Sequence, residues 1–203
     1  IGYVIERLGQ DCQGVLHGIS MGGATVLMTT GLLLPPQVKA AVSDCGFTSA
    51  WEVFSFVLKS MYHMPSFPIL QIADCMARRE AGYGLNECNA RDEVKKARIP
   101  ILFIHGDADT FVPCSMVYQL YGACASGKEL LVISGASHAE AYYKDTKSYE
   151  DAVTALIGRT IEPVIEHTIE PALGHAIEPV LERGAEPLGD RQEGPDSRDE
   201  KGE

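Results

Sequence analysis

The sequence predicts an α/β fold, a mostly parallel sheet flanked by helices, and three observations lead there. Short, nearly continuous apolar runs recur at Ile99–His105 (IPILFIH) and Glu129–Ser134 (ELLVIS), as in strands covered on both faces, and Val38–Ser43 (VKAAVS) reads as a further strand. Helical patterns separate these runs, and strands that alternate with helices close into a parallel sheet by right-handed crossovers, with successive strands side by side. The 203 residues are 45% hydrophobic and 22% charged, which suits one globular core.

In chain order, Ile1–Leu8 (IGYVIERL) spaces its apolar residues along one helical face. Gln10, Asp11 and Gln13 then break the pattern before Val15-Leu16, giving helix, turn and short strand. The run GGATVLMTTGLLL from Gly22 is small and apolar, as a buried helix is, and Gly31 with Pro35-Pro36 ends it. Between Phe47 and Ala97 lies a mixed segment carrying Trp51, Phe54, Phe56, Tyr62 and Phe67, interrupted at Pro65-Ser66-Phe67-Pro68. It exceeds a simple crossover, and the expectation is a helical, lid-like insertion over the strand ends, where open α/β sheets bind ligands; extra core packing is the alternative.

The body is expected to span residues 1–158. Beyond it, Glu162-Pro163, Glu170-Pro171, Glu178-Pro179 and Glu186-Pro187 recur eight residues apart. A proline at that interval interrupts any long helix, so residues 159–203 are expected to be a low-complexity, disordered tail.

Charge and cysteines exclude several functions. From Arg159 onward twelve acidic residues stand against five basic ones, so the tail carries −7 of the formal net charge of −11. No basic patch is left to bind nucleic acid. The six cysteines contain no C-x-x-C pair, which excludes a zinc ribbon or thioredoxin-like motif and leaves reduced, buried thiols as the expectation. That usage leans towards the cytoplasm, and no membrane anchor is visible, although the chain begins at Ile1 rather than Met and a targeting segment could precede it.

Three loops carry chemistry. His17-Gly18-Ile19-Ser20-Met21-Gly22-Gly23 contains G-x-S-x-G between an expected strand and helix, where Gly18 and Gly22 would leave room for a sharp turn and expose Ser20. The backbone N–H of Met21, at the helix start, would donate to an oxyanion. His105-Gly106-Asp107-Ala108-Asp109 follows a strand, with Asp109 the candidate acid and Asp107 expected to satisfy backbone groups of its loop. Gly135-Ala136-Ser137-His138 follows another, with His138 the candidate general base. Ser20, Asp109 and His138 thus stand in the order nucleophile, acid, histidine, each just past a strand. His17, His63, His105, His167 and His175 carry no such pattern.

GISMGG, HGDADTFVP and GASHAEAY together resemble the α/β-hydrolase superfamily, in particular its bacterial esterase and S9 peptidase-like branch, over roughly Ile1–Ile161. The resemblance implies Ser20 as nucleophile, Asp109 as acid, His138 as base, Met21 as an oxyanion donor, and Phe111 and Val112 flanking the acid loop. It also implies an elbow after the fifth strand of an eight-stranded sheet, whereas Ser20 here follows one helix and one strand. The expectation is therefore that about four strands and the loop supplying the second oxyanion donor are missing. An open apolar edge and poor solubility would follow, as would an abrupt passage from Val153–Leu156 into the repeats in place of a last helix.

The leading functional reading is a serine hydrolase that cleaves a small-molecule ester, or an amide or peptide, through an acyl-enzyme, without cofactor or metal. The alternative is a truncated, inactive hydrolase acting at most as a binding module. A metalloenzyme using His105, Asp107, Asp109 and His138 ranks third, because an elbow has no place in it. The sequence is silent on oligomeric state.

Overall fold

The structure, a computed structural model, describes residues 1–161. The expected disorder of the repeats falls on residues outside this range. Among the described residues, α-helices and strands follow one another as α1 (Gly2–Leu8), β1 (Gly14–Ile19), α2 (Met21–Thr30), β2 (Val38–Asp44), α3 (Ala50–Met61), α4 (Ile69–Ala81), α5 (Ala90–Val94), β3 (Ile101–Gly106), α6 (Ser115–Ala123), β4 (Lys128–Ile133), α7 (Ala141–Lys144) and α8 (Thr146–Thr160), with a short 3-10 helix at Leu85–Glu87 between α4 and α5. All four strands are parallel and lie in chain order, β1-β2-β3-β4, as the alternating pattern predicts.

The sheet is coated on both sides because side chains alternate along a strand. Ala41, Ile101 and Phe103 face one way, packing with Leu27 of α2, Val94 of α5 and Val117 and Leu120 of α6. Ala40, Val42, Leu102 and Ile104 face the other way, against Tyr149 and Leu156 of α8 and Ala141 of α7. Continuous apolar runs are the sequence trace of this two-sided burial. Phe103, Leu27 and Leu120 are fully buried, and each such side chain contributes about 1.5–3 kcal/mol relative to exposure.

Local signals fix the helix starts. Ser49 Oγ accepts from Glu52 N (3.1 Å) at α3, Asn89 Oδ1 from Asp92 N (3.1 Å) at α5, and Asp145 Oδ1 from Ser148 N (3.0 Å) at α8. The expectation that the chain lacks a last helix is wrong. Helix α8 runs past Gly158 to Thr160 and buries Tyr149 and Leu156, because these two residues lie two turns apart on one face.

The insertion is helical. Within it, Val53 of α3 shares a small core with Val112 and Met116, with Phe47 and Val57 packed alongside, so α3 braces the loop that follows β3. Helix α4 buries only Leu70. Strand β1 is an edge strand, and α1 in front of it buries no residue. No helix among the described residues is long and apolar enough to cross a membrane.

Candidate active site

Register brings the strand ends together. Ile19 pairs with Asp44, Asp44 with Ile104, and Gly106 with Ile133, so the residues leaving all four strands emerge along one edge of the sheet. At the end of β1, Ser20 has φ 55° and ψ −114°, a strained conformation for a non-glycine residue. Its amide donates to Asp44 O at 2.8 Å, and its carbonyl accepts from Ala24 N at 2.9 Å. Strand and helix thus clamp the turn from both sides.

The glycines of this turn are not equivalent. A Cβ on Gly18 would lie 2.2 Å from Gly22 O, and one on Gly23 would lie 2.8 Å from Asp44 O. A Cβ on Gly22 would meet nothing within 4 Å. The expectation that Gly22 is a steric necessity is therefore corrected: its backbone occupies the space beside Gly18, while its own α-carbon faces an open side. Gly23, outside the motif, is the second close approach.

The three predicted side chains converge. His138 Nε2 lies 2.9 Å from Ser20 Oγ, and His138 Nδ1 lies 2.7 Å from Asp109 Oδ2. The second carboxylate oxygen, Oδ1, accepts from Phe111 N (2.9 Å) and Val112 N (2.8 Å), which fixes the plane of the carboxylate. The Phe111 ring packs against the imidazole with centroids 5.0 Å apart. Met21, the first residue of α2, carries one of the N–H groups left without an intrahelical acceptor, beside Ser20.

The electrostatics favour an ionised acid. Burial pushes the Asp109 carboxyl up, but hydrogen bonds from His105, His138 and the amides of Val112 and Phe111 together outweigh it and hold the group below the usual carboxylate range. The fully buried His105 supports this, with Nε2 2.9 Å from Val112 O and 3.4 Å from Asp109 Oδ2. Asp107 ties the acid loop to the histidine loop, its Oδ1 accepting from Gly135 N (2.6 Å) and its Oδ2 from Ser134 Oγ (3.1 Å). It therefore bridges two loops instead of serving its own.

Sequence reasoning missed two features. On one face a hydrogen-bonded chain runs inwards from the exposed His17, whose Nε2 lies 2.8 Å from the buried Tyr149 OH, to the buried Asp44, whose Oδ2 accepts from Tyr149 OH (3.2 Å). Burial pushes the Asp44 carboxyl up, opposed by the Tyr149 hydrogen bond, and Asp44 Oδ1 has no hydrogen-bond partner. The other feature is Cys45, buried and at φ 42°, beside the acid and the histidine. All six cysteines are unpaired, but only Cys45 and Cys124 are buried and Cys75 is exposed, so the expectation of uniformly buried thiols is corrected.

Such an arrangement can polarise a hydroxyl. An imidazole held on Nδ1 by a carboxylate presents a basic Nε2 to Ser20 Oγ, and a helix-start N–H stands where charge would develop on an attacked carbonyl.

Comparison with known proteins agrees with the fold. Residues 6–160 match the prolyl oligopeptidase family of peptidases, S9. YqkD, an uncharacterized protein of Bacillus subtilis, is 31% identical over 138 residues, which are 68% of this chain and 45% of YqkD. YfhR, an uncharacterized protein of Escherichia coli O157:H7, is 25% identical over 63% of this chain and 39% of its own length. The chain thus spans less than half the length of these relatives. Among solved structures, the Pyrococcus furiosus esterase Pf2001 aligns with TM-score 0.59 at 15% identity, over 79% of this chain and 59% of that one. The Pyrococcus horikoshii acylaminoacyl peptidase aligns with TM-score 0.59 at 14% identity, over 85% of this chain and 28% of that one.

Proposed function

The chain belongs to the prolyl oligopeptidase family, and from that premise we propose that it is a serine hydrolase of the α/β-hydrolase type acting through an acyl-enzyme. Ser20 attacks an ester or amide carbonyl, His138 takes the hydroxyl proton and returns it to the leaving group, and Asp109 holds the imidazole. Met21 N–H donates to the oxyanion, and water then releases the acyl group. The observation that carries this reading is the continuous hydrogen-bonded path from Ser20 Oγ through His138 to Asp109, at 2.9 and 2.7 Å.

Ester cleavage is favoured over peptide cleavage because an ester asks less of the leaving-group step; the preference otherwise rests on family analogy. The helical insertion is proposed to border the substrate, with α3 bracing the acid loop.

A second reading, an inert portion of a hydrolase that only binds, is favoured by the chain's spanning 45% and 39% of its two curated relatives. Hydrolysis of p-nitrophenyl acetate and butyrate, measured beside Ser20→Ala with folding matched by circular dichroism, separates the two. Turnover that depends on Ser20 supports the hydrolase; a folded chain with no Ser20-dependent turnover supports the inert reading.

A further inference from the structure

Behind the Ser20–His138–Asp109 path sits a fourth side chain that the proposed reaction does not use. Cys45 directly follows β2, and because Asp44 pairs with Ile19, Cys45 and Ser20 leave adjacent strands side by side. The backbones of Ala139 and Ser20 lie beside its sulfur. All three backbones are at positive φ, Ser20 at 55°, Cys45 at 42° and Ala139 at 60°, so the sulfur is held where three strained turns meet. Cys45 Sγ, a carboxylate oxygen of Asp109 and an imidazole nitrogen of His138 lie within 4.8 Å of one another. The nitrogen that faces Asp109 is Nδ1.

We propose that Cys45, Asp109 and His138 form a binding site for a soft divalent cation of the zinc and cadmium type, and that occupancy switches Ser20 off. Thiolate, imidazole and carboxylate are the donors that zinc takes, with a water in the fourth position. Donor atoms around such an ion stand about 3.5 Å apart, from bond lengths of roughly 2.0–2.3 Å. Reaching that spacing asks the sulfur to move inwards and the Nδ1–Oδ2 contact to widen from 2.7 Å. The His138 side chain is 25% exposed and offers the solvent route, while that of Asp109 is fully buried.

The charge and proton balance explains the switch. The sulfur gives its proton to solvent, and the cation replaces the proton on His138 Nδ1, which moves to Nε2. The dipositive ion is then offset by one thiolate and one carboxylate, so the buried site is neutral. With Nε2 protonated, the imidazole cannot accept a proton from Ser20. A thiol loses its proton when it becomes a ligand, so one proton leaves per cation bound.

The binding half of this proposal stands on geometry; the switching half rests on the hydrolase reading, and one titration separates them. Free Cd²⁺, held by a metal buffer, is titrated into the full chain. Thiolate-to-cadmium charge transfer is read in the ultraviolet, and fluorophosphonate labelling of Ser20 is read in parallel. The expected result is one shared midpoint for the rise of the band and the loss of labelling. Cys45→Ser and Cys45→Ala, each checked for folding by circular dichroism, should lose the band at this midpoint and raise the midpoint for loss of labelling at least about tenfold, and Cys75→Ser, at an exposed thiol, should leave both unchanged. A band that needs Cys45 in a chain whose Ser20 never labels supports the cation site and removes the hydrolase reading. Equal midpoints in wild type and both Cys45 variants overturn the site.

Discussion

Replacing Asp109 with asparagine should nearly abolish reaction at Ser20 while leaving the fold in place. The carboxylate uses its two oxygens differently: Oδ1 accepts from Phe111 N and Val112 N at 2.9 and 2.8 Å, and Oδ2 accepts from His138 Nδ1 at 2.7 Å. An asparagine keeps both backbone donors only with its carbonyl oxygen in the Oδ1 position, which turns its NH₂ towards His138. Two donors then face each other unless the imidazole carries its proton on Nε2, the nitrogen 2.9 Å from Ser20 Oγ. That tautomer cannot accept the serine proton. The expected loss is roughly a thousandfold to ten-thousandfold, equivalent to about 4–5.5 kcal/mol of transition-state stabilisation. The assay is the second-order rate of fluorophosphonate labelling, with thermal unfolding as the control for folding. A folded Asp109→Asn chain that labels within about tenfold of wild type, a difference of only ~1.4 kcal/mol, would refute the reasoning.

Three further outcomes follow from the same contacts. Gly18→Ala, whose Cβ would lie 2.2 Å from Gly22 O, should lose labelling together with thermal stability; Gly22→Ala, which meets open space within α2, should stay folded and gain about 0.5–1 kcal/mol in denaturant unfolding. Tyr149→Phe removes the hydroxyl shared by His17 and Asp44 and should destabilise by about 1–3 kcal/mol in the same assay, since both Asp44 oxygens then lack a donor. Asp44 is held above its ordinary value, chiefly by burial, so its ionisation destabilises the fold as pH rises from the unfolded carboxyl value towards the folded one. The Tm difference between Asp44→Asn and wild type should therefore move in the variant's favour from pH 4 to pH 7, whereas a constant difference would mean that no buried charge is being formed.

The strands and the three candidate residues were legible for one physical reason each. Strands covered on both faces must be apolar almost throughout, as IPILFIH and ELLVIS are. A parallel sheet puts the first residues past its strands on one edge, so Ser20, Asp109 and His138 could be placed together before any distance was known. Cys45 was not legible, because its nearness to His138 depends on the pairing of Ile19 with Asp44, and register is a property of two strands. The Asp44–Tyr149–His17 chain joins residues more than a hundred positions apart, and nothing local marks them. Gly22 was given the steric role and Gly23 none because the G-x-S-x-G spacing does not say which α-carbon faces the packed side of the turn. Helix α8 was undervalued because the proline repeats begin almost as it ends.

The most direct test of the account is to label the folded chain with a fluorophosphonate and locate the adduct by peptide mapping, beside Ser20→Ala and His138→Ala. The account predicts one adduct, on Ser20, that is missing from Ser20→Ala and forms far more slowly in His138→Ala. A folded chain that takes no label, or that labels equally in all three forms, would contradict it.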